Sequence, residues 1–404
     1  MTASQASPPR MVVFGAGAVG RGFVAPLFSK AGWHVTFLDV VPDLVNNLDN
    51  AGGYFQVVVD NTGRSDTWIT PVSAINSADT DAAVRALASA AFAATAVGAA
   101  HLPGLAPVIA RSLQERQEQG KGPLNILLCE NLHDATEVLR AALNDAYGAE
   151  TGALTGLAST SIGRMIPHGV RDASNPTTIE VEPYAMLPYD AATILGTAPE
   201  IPGLIPVLDG FAGYTDRKLY VHNMGHCMLA YLAHELNLTH IWEAVAHVEL
   251  RYLVRAAMME SAAAVAIAHG MPMGALQHHV NDLLHRFGNR ELKDTASRVG
   301  QDPVRKMQPD DRLLGAYLLC RKAGVPLQHV SLAVALGARR LELEAGWDPA
   351  EVDSYLAAHL FHDAATDDKG VALLNDQLEM LRRGAAIQEQ ITRIDADYIE
   401  SWVV

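Results

Sequence analysis

The run Arg217-Lys218-Leu219-Tyr220-Val221-His222-Asn223-Met224-Gly225-His226 gathers proton-transfer and hydrogen-bonding side chains within one short segment. As a helix of 3.6 residues per turn, it puts Asn223 and His226, three apart, on a shared face. Lys218 then lies roughly 80° round from His226, close enough to converge on one surface, and His222 lies nearer still to Lys218. A lysine so placed suits taking a proton from a hydroxyl or returning it to a carbonyl oxygen, with amide and imidazole donors holding that oxygen. By itself the segment also reads as a solvated lysine beside a capped helix. Which reading applies depends on what the rest of the chain builds.

A second constellation lies near the N-terminus. Gly15-Ala16-Gly17-Ala18-Val19-Gly20 fits the GxGxxG pattern between an apolar run and a helical one. Gly15 permits the tight turn, Gly17 lets the backbone approach a pyrophosphate, and Gly20 allows close helix–strand packing. Ala18 and Val19 lead into a helix whose free amides and positive dipole end would face the phosphates. Asp39 follows Gly20 by 19 residues, at the end of the next strand pattern. A carboxylate there accepts from both ribose hydroxyls and opposes a 2′-phosphate, so the expected cofactor is NAD and not NADP. Thr95-Ala96-Val97-Gly98 ends a further apolar run and gives a second set of cofactor contacts in Thr95, Val97 and Gly98. A nicotinamide enzyme acting on an alcohol needs a base for the hydroxyl proton. No metal-ligand cluster is evident in the sequence, so that base falls to an organic side chain.

The elements that must position these groups follow from hydrophobic periodicity. Met11–Phe14, the helical pattern Arg21–Ala31 closed by Gly32, and Val35–Leu38 form one βαβ unit. Further strand patterns fall at Tyr54–Val59, Ala91–Val97, Ile126–Cys129 and Thr178–Val181, with helical patterns at Asp79–Ala88 and Asp134–Ala146. This alternation predicts an α/β fold, a Rossmann-type doubly wound, mostly parallel sheet. Gly196, Pro199, Pro202, Gly203 and Pro206 then mark a change of texture. Beyond it the patterns are helical: Thr239–His269 closed by Gly270, Leu314–Ala323, Leu327–Glu344, Pro349–His359 and Val371–Arg393. The expected organisation is a disordered arm over 1–10, a nucleotide domain over 11–198 and a mainly α-helical substrate domain over 199–404, with a cleft between the two domains.

The whole-chain properties narrow the partners. A length of 404 residues exceeds one ordinary core. A formal net charge of −15 argues against nucleic acid and anionic lipid as partners and leaves a small-molecule substrate. Cys129, Cys227 and Cys320 are odd in number and far apart, so no disulfide framework or zinc knuckle is expected. Ala86–Ala110 carries no formal charge, but Gly98, Pro103, Gly104 and Pro107 break it into a strand, a loop and a helix. Met1–Arg10 lacks the apolar core of a signal peptide, and a cytoplasmic protein is expected.

Lys218-x4-Asn223-x2-His226 resembles the active-site helix of the polyol-specific long-chain dehydrogenases, the mannitol dehydrogenase family. Asn125-Ile126-Leu127-Leu128-Cys129-Glu130-Asn131 resembles that family's strand ending in a Cys-Glu/Asp-Asn element. Arg286-Phe287-Gly288-Asn289-Arg290-Glu291-Leu292-Lys293-Asp294 resembles its Arg-Phe-x-Asn segment. Arg298-Val299-Gly300, Pro303, Arg305-Lys306 and Asp311-Arg312-Leu313 match a further block, so the likeness runs from Gly15 to about Leu313. Its wording is nearest the family's mannitol-1-phosphate branch.

The resemblance implies zinc-independent hydride transfer with NAD, interconverting mannitol 1-phosphate and fructose 6-phosphate in a monomer or small homo-oligomer. Lys218 would be the general acid/base, Asn131 and Asn223 would hold the substrate oxygen, and His226 would orient the substrate. The phosphate end is less defined, because Asp134 follows Leu132-His133 where a basic residue can stand in that branch. Asp134 also suits an N-cap. Arg164, His168, Arg171, Lys293, Arg298 and Arg312 are candidate cations, and the adjacent pair Arg305 and Lys306 could fork around a phosphate. An unphosphorylated polyol or hexuronate is the alternative substrate. A non-catalytic NAD-binding protein is the third reading.

Overall fold

The computed structural model describes residues 7–132, 134–148, 151–167, 175–360 and 368–402, in two compact units, Met1–Phe211 and Ala212–Val404. His133, His168, Arg171 and most of the N-terminal arm lie outside the described residues. Arg10 does not belong to the arm: it begins the first strand, paired with His34.

The first unit contains β1 (Arg10–Phe14), β2 (His34–Asp39), β3 (Tyr54–Asp60), β4 (Gly63–Ile69), β5 (Val72–Asn76), β6 (Phe92–Thr95), β7 (Leu124–Leu128), β8 (Thr155–Ser159), β9 (Ile179–Val181), β10 (Leu187–Asp190) and β11 (Leu204–Val207). Six of them form one sheet in the order β5-β2-β1-β6-β7-β8, parallel throughout. This is the strand order of dinucleotide-binding folds, with its reversal between β1 and β6. One face of the sheet is covered by a core containing Phe23, Phe28, Phe37, Tyr54 and Phe92. The other is covered by Leu87, Ile109, Leu113, Leu139 and Leu143 from the helices Thr80–Ser89, Ala106–Glu118 and Ala135–Tyr147. Burial on both faces explains the near-continuous apolar strands that the sequence displays.

Two expected strands belong elsewhere. Tyr54–Val59 and Thr178–Val181 appear as β3 and β9, but in a separate sheet of order β4-β3-β9. β3 turns back at once into β4, with Asp60 Oδ1 accepting from the Thr62 and Gly63 amides at 2.7 and 3.1 Å. A hairpin makes an antiparallel pair, whereas the parallel sheet needs a long crossover. β4 itself, Gly-Arg-Ser-Asp-Thr-Trp-Ile, is mostly exposed and so gives no alternating pattern. β5 and β8 complete the main sheet although their sequences did not single them out.

β10 and β11 pair in parallel across the Gly/Pro-rich stretch, which keeps residues up to Phe211 in the first unit. The division therefore falls after the expected boundary at 198. The second unit is mainly helical, and two expected single helices are pairs. Thr239–His269 breaks at His247, extended at φ −74 and ψ 121, into Ile241–Ala246 and Val248–His269. Gly270, at φ +65, closes the latter. Val371–Arg393 is divided between Asp368–Arg382 and Ile387–Trp402, with Gly384 at φ +72 in the break. Among the described residues no helix is long and apolar enough to cross a membrane.

Candidate active site

In the first unit the glycine turn follows β1, on the carboxyl edge of the sheet where its order reverses. Gly15 adopts φ +93, and a Cβ there would collide with the Ala96 carbonyl. A Cβ on Gly20 would collide with the Gly15 carbonyl. Gly17 meets nothing within 4 Å, so space is open over the middle of the turn. These are the three roles that a pyrophosphate-binding turn assigns to its glycines. Ala18 and Val19 are half-buried against the sheet core, and the chain enters its helix through a π turn, Gly20–Val24.

Asp39 is fixed by the turn that it faces. Its Oδ2 accepts from the Ala16 amide at 2.7 Å and its Oδ1 from Val41 at 2.9 Å. Each carboxylate oxygen retains capacity for a further donor. Arg21, buried, donates from Nε to the Ala16 carbonyl at 2.5 Å and from Nη1 to Thr177, a brace that its place inside a helical pattern did not reveal.

The end of β6 is organised by Glu130. Its buried carboxylate accepts from the Val97 amide at 3.1 Å and from the Gly98 amide at 2.8 Å. Those two donors are thus committed to the protein in this conformation. Thr95 is fully buried, and its Oγ1 is without a partner. Asn131 is exposed at the bend beyond Glu130, and Cys129 is buried, its thiol pushed up to about 12 by burial.

In the second unit the reactive segment is one helical path with a change of pitch. Phe211–Asp216 leads into a π-helical stretch, Arg217–Asn223, and then into Met224–Glu235, with helical dihedrals at both joins. A π turn carries more residues per turn than an α-helix. The roughly 80° offset expected between Lys218 and His226 at 3.6 residues per turn therefore shrinks. π turns recur at functional sites because they re-aim side chains in this way.

The helix Val248–His269 holds the segment in place. Ser261 Oγ donates to the Tyr220 carbonyl at 2.8 Å, and His269 Nε2 lies 2.6 Å from Asp216 Oδ2. Gly225 lets the helix Val248–His269 approach, since a Cβ would run into Met258.

Lys218 Nζ lies 3.3 Å from His222 Nδ1. His222 is buried, and burial, then the charges of Lys218 and Arg286, push its pKa well below the ordinary histidine value. His226 stacks on Phe287, with centroids 4.7 Å apart and planes 9° from parallel. Its Nε2 is 3.2 Å from Asp294 Oδ2, without the alignment of a good hydrogen bond. Burial lowers the His226 pKa, against the opposing pull of Asp294. Burial works to raise Asp294, but His226 and Arg298 outweigh it and hold the carboxyl below its usual range. Asn223 is half-buried at the start of Met224–Glu235. His279, from the helix Met273–Phe287, faces Arg217, Arg286 and Lys218; burial and those cations lower it to about 2. No feature of the sequence had marked His279. Among the described residues no group of three or more His, Cys, Asp or Glu side chains could hold a metal ion.

Both members of the expected phosphate pair have partners within the protein in this conformation. Arg305 pairs with Asp302 at 2.8 Å and Asp311 at 2.9 Å, both through its guanidinium. Lys306 is buried and donates to the Val299 carbonyl at 2.8 Å. Arg298 pairs with Asp294, Arg312 with Asp311, and buried Arg164 donates to the Glu182 and Gly22 carbonyls. Lys293 is exposed at φ +51. Asp134 does precede the helix Ala135–Tyr147, but its side chain makes no capping hydrogen bond.

The sheet order and the turn at its switch point define the first unit as a Rossmann nucleotide-binding domain, the part a dehydrogenase uses to hold its redox cofactor. Residues 9–203 match the family model described as the mannitol dehydrogenase Rossmann domain, and 211–393 match the mannitol dehydrogenase C-terminal domain. The chain belongs to the mannitol dehydrogenase family and is an oxidoreductase acting on a CH–OH group. It is 33% identical over 328 residues to the mannitol-1-phosphate 5-dehydrogenase of Brevibacillus brevis, covering 80% of this chain and 84% of that protein. The enzyme of the same name from Geobacillus thermodenitrificans is 33% identical over 310 residues, 76% of this chain and 80% of the relative. Among solved structures, the mannitol 2-dehydrogenase of Pseudomonas fluorescens, a ternary complex with NAD and D-mannitol, superposes with a TM-score of 0.70 at 17% identity, covering 96% of this chain and 94% of that one. A D-sorbitol dehydrogenase gives 0.73 at 16% identity, with the same coverage.

Proposed function

We propose that the chain is an NAD-dependent dehydrogenase interconverting mannitol 1-phosphate and fructose 6-phosphate, with Lys218 as general acid/base. The observation that carries the reading is the Lys218–His222 contact at 3.3 Å on the π-helical segment, with His226 one turn further along. It puts a primary amine beside a neutral imidazole among groups able to bind hydroxyls. The phosphorylated substrate is supported by the names of the curated relatives. NAD is supported by the open space over Gly17 and by the carboxylate of Asp39 against the glycine turn, which disfavours a 2′-phosphate.

When bound, NAD supplies the hydride acceptor for polyol oxidation, and NADH the donor for ketose reduction. Lys218 as ammonium gives its proton to the carbonyl oxygen during reduction; as amine it takes the hydroxyl proton during oxidation. Asn223 donates to the same oxygen, and Asn131, in the first unit, is assigned the matching donor role on its sequence motif. His226, braced by Phe287 and Asp294, orients a substrate hydroxyl. The measurement is NADH oxidation by the parent and by Lys218→Ala with fructose 6-phosphate. A loss of about 100-fold or more in kcat is expected, the scale of general acid–base catalysis. Near-normal turnover by the variant would remove Lys218 from the role.

The commitment of Arg305 and Lys306 to partners within the protein favours a second reading, a substrate without phosphate. Fructose and a keto-hexuronate assayed beside fructose 6-phosphate decide between the two. Turnover of fructose alone would overturn the phosphorylated substrate while leaving the dehydrogenase intact.

A further inference from the structure

The geometry points to His222 as a positioning residue for Lys218: its Nδ1 accepts a hydrogen bond from Nζ and so aims the amine at the reacting oxygen. This rests on the reading of Lys218 as the acid/base. An ammonium has three donors and no acceptor, so a contact at 3.3 Å to Nδ1 requires that nitrogen to be unprotonated and the ring hydrogen to sit on Nε2. The surroundings keep the ring neutral, and the Lys218 ammonium then selects the tautomer with Nδ1 free to accept. His222 is buried, and the groups acting on it are cationic or imidazole: Lys218 and His226 from its own segment, His279 and Arg286 from the helix Met273–Phe287. Each opposes a second ring proton, as does loss of water.

The ring is also fixed mechanically. It meets Phe287 edge-on, with centroids 5.8 Å apart, and lies 6.4 Å from the ring of His226. Phe287 thus touches both imidazoles, edge to one and face to the other. A flexible four-carbon stem such as that of lysine is held in one direction only if its terminal nitrogen has a fixed partner. His222 supplies that partner from the following turn, and the π-helical stretch containing both residues sets their separation. The acceptor also stabilises the ammonium form of Lys218 over the amine. Its removal is therefore read in the pH profile as well as in the rate: the ammonium, needed for ketose reduction, persists over a narrower alkaline range.

The test compares the parent with His222→Leu and His222→Asn, the latter because an Asn carbonyl oxygen sits close to where Nδ1 lies. His222→Leu is expected to lose about 10- to 100-fold in kcat for ketose reduction, the rate equivalent of one hydrogen bond to a charged group. The KM for NADH should stay unchanged and the alkaline limb of the profile should move to lower pH. His222→Asn should recover most of the rate and of the profile. A folded His222→Leu with parental kcat and pH profile would overturn the proposal, as would Asn failing to do better than Leu. Nitrogen NMR of the labelled parent gives an answer that needs no variant to fold. An unprotonated Nδ1 whose resonance shifts on Lys218→Met supports the contact, and a protonated Nδ1 overturns it. If Lys218→Ala is itself active, the acid/base reading fails; if that variant is inactive while His222→Leu keeps the parental kcat and pH profile, only the positioning role fails.

Discussion

Acidification should destabilise the second unit well before its carboxylates titrate, because its buried histidines stay neutral when folded. The pKa values of His222, His226 and His279 are all lowered by burial, that of His279 to about 2. In the unfolded chain each titrates near about 6.5. Below that value the unfolded chain binds protons that the folded chain refuses, so stability is full above it and is lost as pH falls towards the folded pKa. Between pH 6.5 and 5.0, linkage gives a loss of about 1.6 kcal/mol for one such group. His279, lowered to about 2, contributes that full amount, and His222 and His226 add to it in the same direction.

Against the about 5–15 kcal/mol that holds a typical domain folded, the loss from even one such group is readily measured. His234, less buried and also lowered, adds a smaller amount in the same direction. Asp294 does not confuse the window: its depressed pKa means its contribution starts to be lost only below about 3.9. Urea unfolding of the parent and of His279→Leu at the two pH values and equal ionic strength measures the effect. The variant's pH-dependent loss should be smaller by about 1.6 kcal/mol. Equal stability of the parent at both pH values, or an undiminished loss in the variant, would refute the assignment of neutral buried histidines.

The glycine turn offers a paired test. Gly17→Ala places a Cβ where no atom lies within 4 Å, so melting temperature should hold while NADH affinity falls, about tenfold or more by fluorescence titration. Gly20→Ala drives a Cβ into the Gly15 carbonyl and should lower thermal stability as well as binding; equal behaviour of the two variants would contradict the turn geometry. Lys306→Met leaves the Val299 carbonyl without its donor and should cost about 1–3 kcal/mol in denaturant unfolding. Its KM for fructose 6-phosphate should stay within about twofold, and a selective rise for the phosphorylated ketose would restore Lys306 as a phosphate ligand.

Local patterns carried most of the nucleotide half. Parallel strands buried on both faces must be apolar along their length, so β1, β2, β6 and β7 stood out as short runs. The glycines were legible because each answers a backbone demand that other residues meet poorly. Gly270 announced a helix end for the same reason. β4 was not legible, because an exposed hairpin strand has no core face to pattern it. The break at His247 had no Gly or Pro to signal it, whereas Gly384 stood at the other break and was read through in the expected helix Val371–Arg393.

The residue types of the chemical segment, Lys218, Asn223 and His226, were fixed by sequence alone, as was its resemblance to a dehydrogenase family. Their mutual geometry was not. The π-helical pitch is held against Met258, Ser261 and His269 of the helix Val248–His269, and a one-dimensional period cannot contain that. The partners of the cations are likewise a tertiary matter, since nothing local shows that Asp311 meets Arg305 or that the Val299 carbonyl meets Lys306. The sequence determined the nucleotide turn and the kinds of group available for proton transfer, because backbone conformation and side-chain chemistry are local properties. The tertiary structure decided charge state, aim and partner, because these are set by atoms distant in the chain.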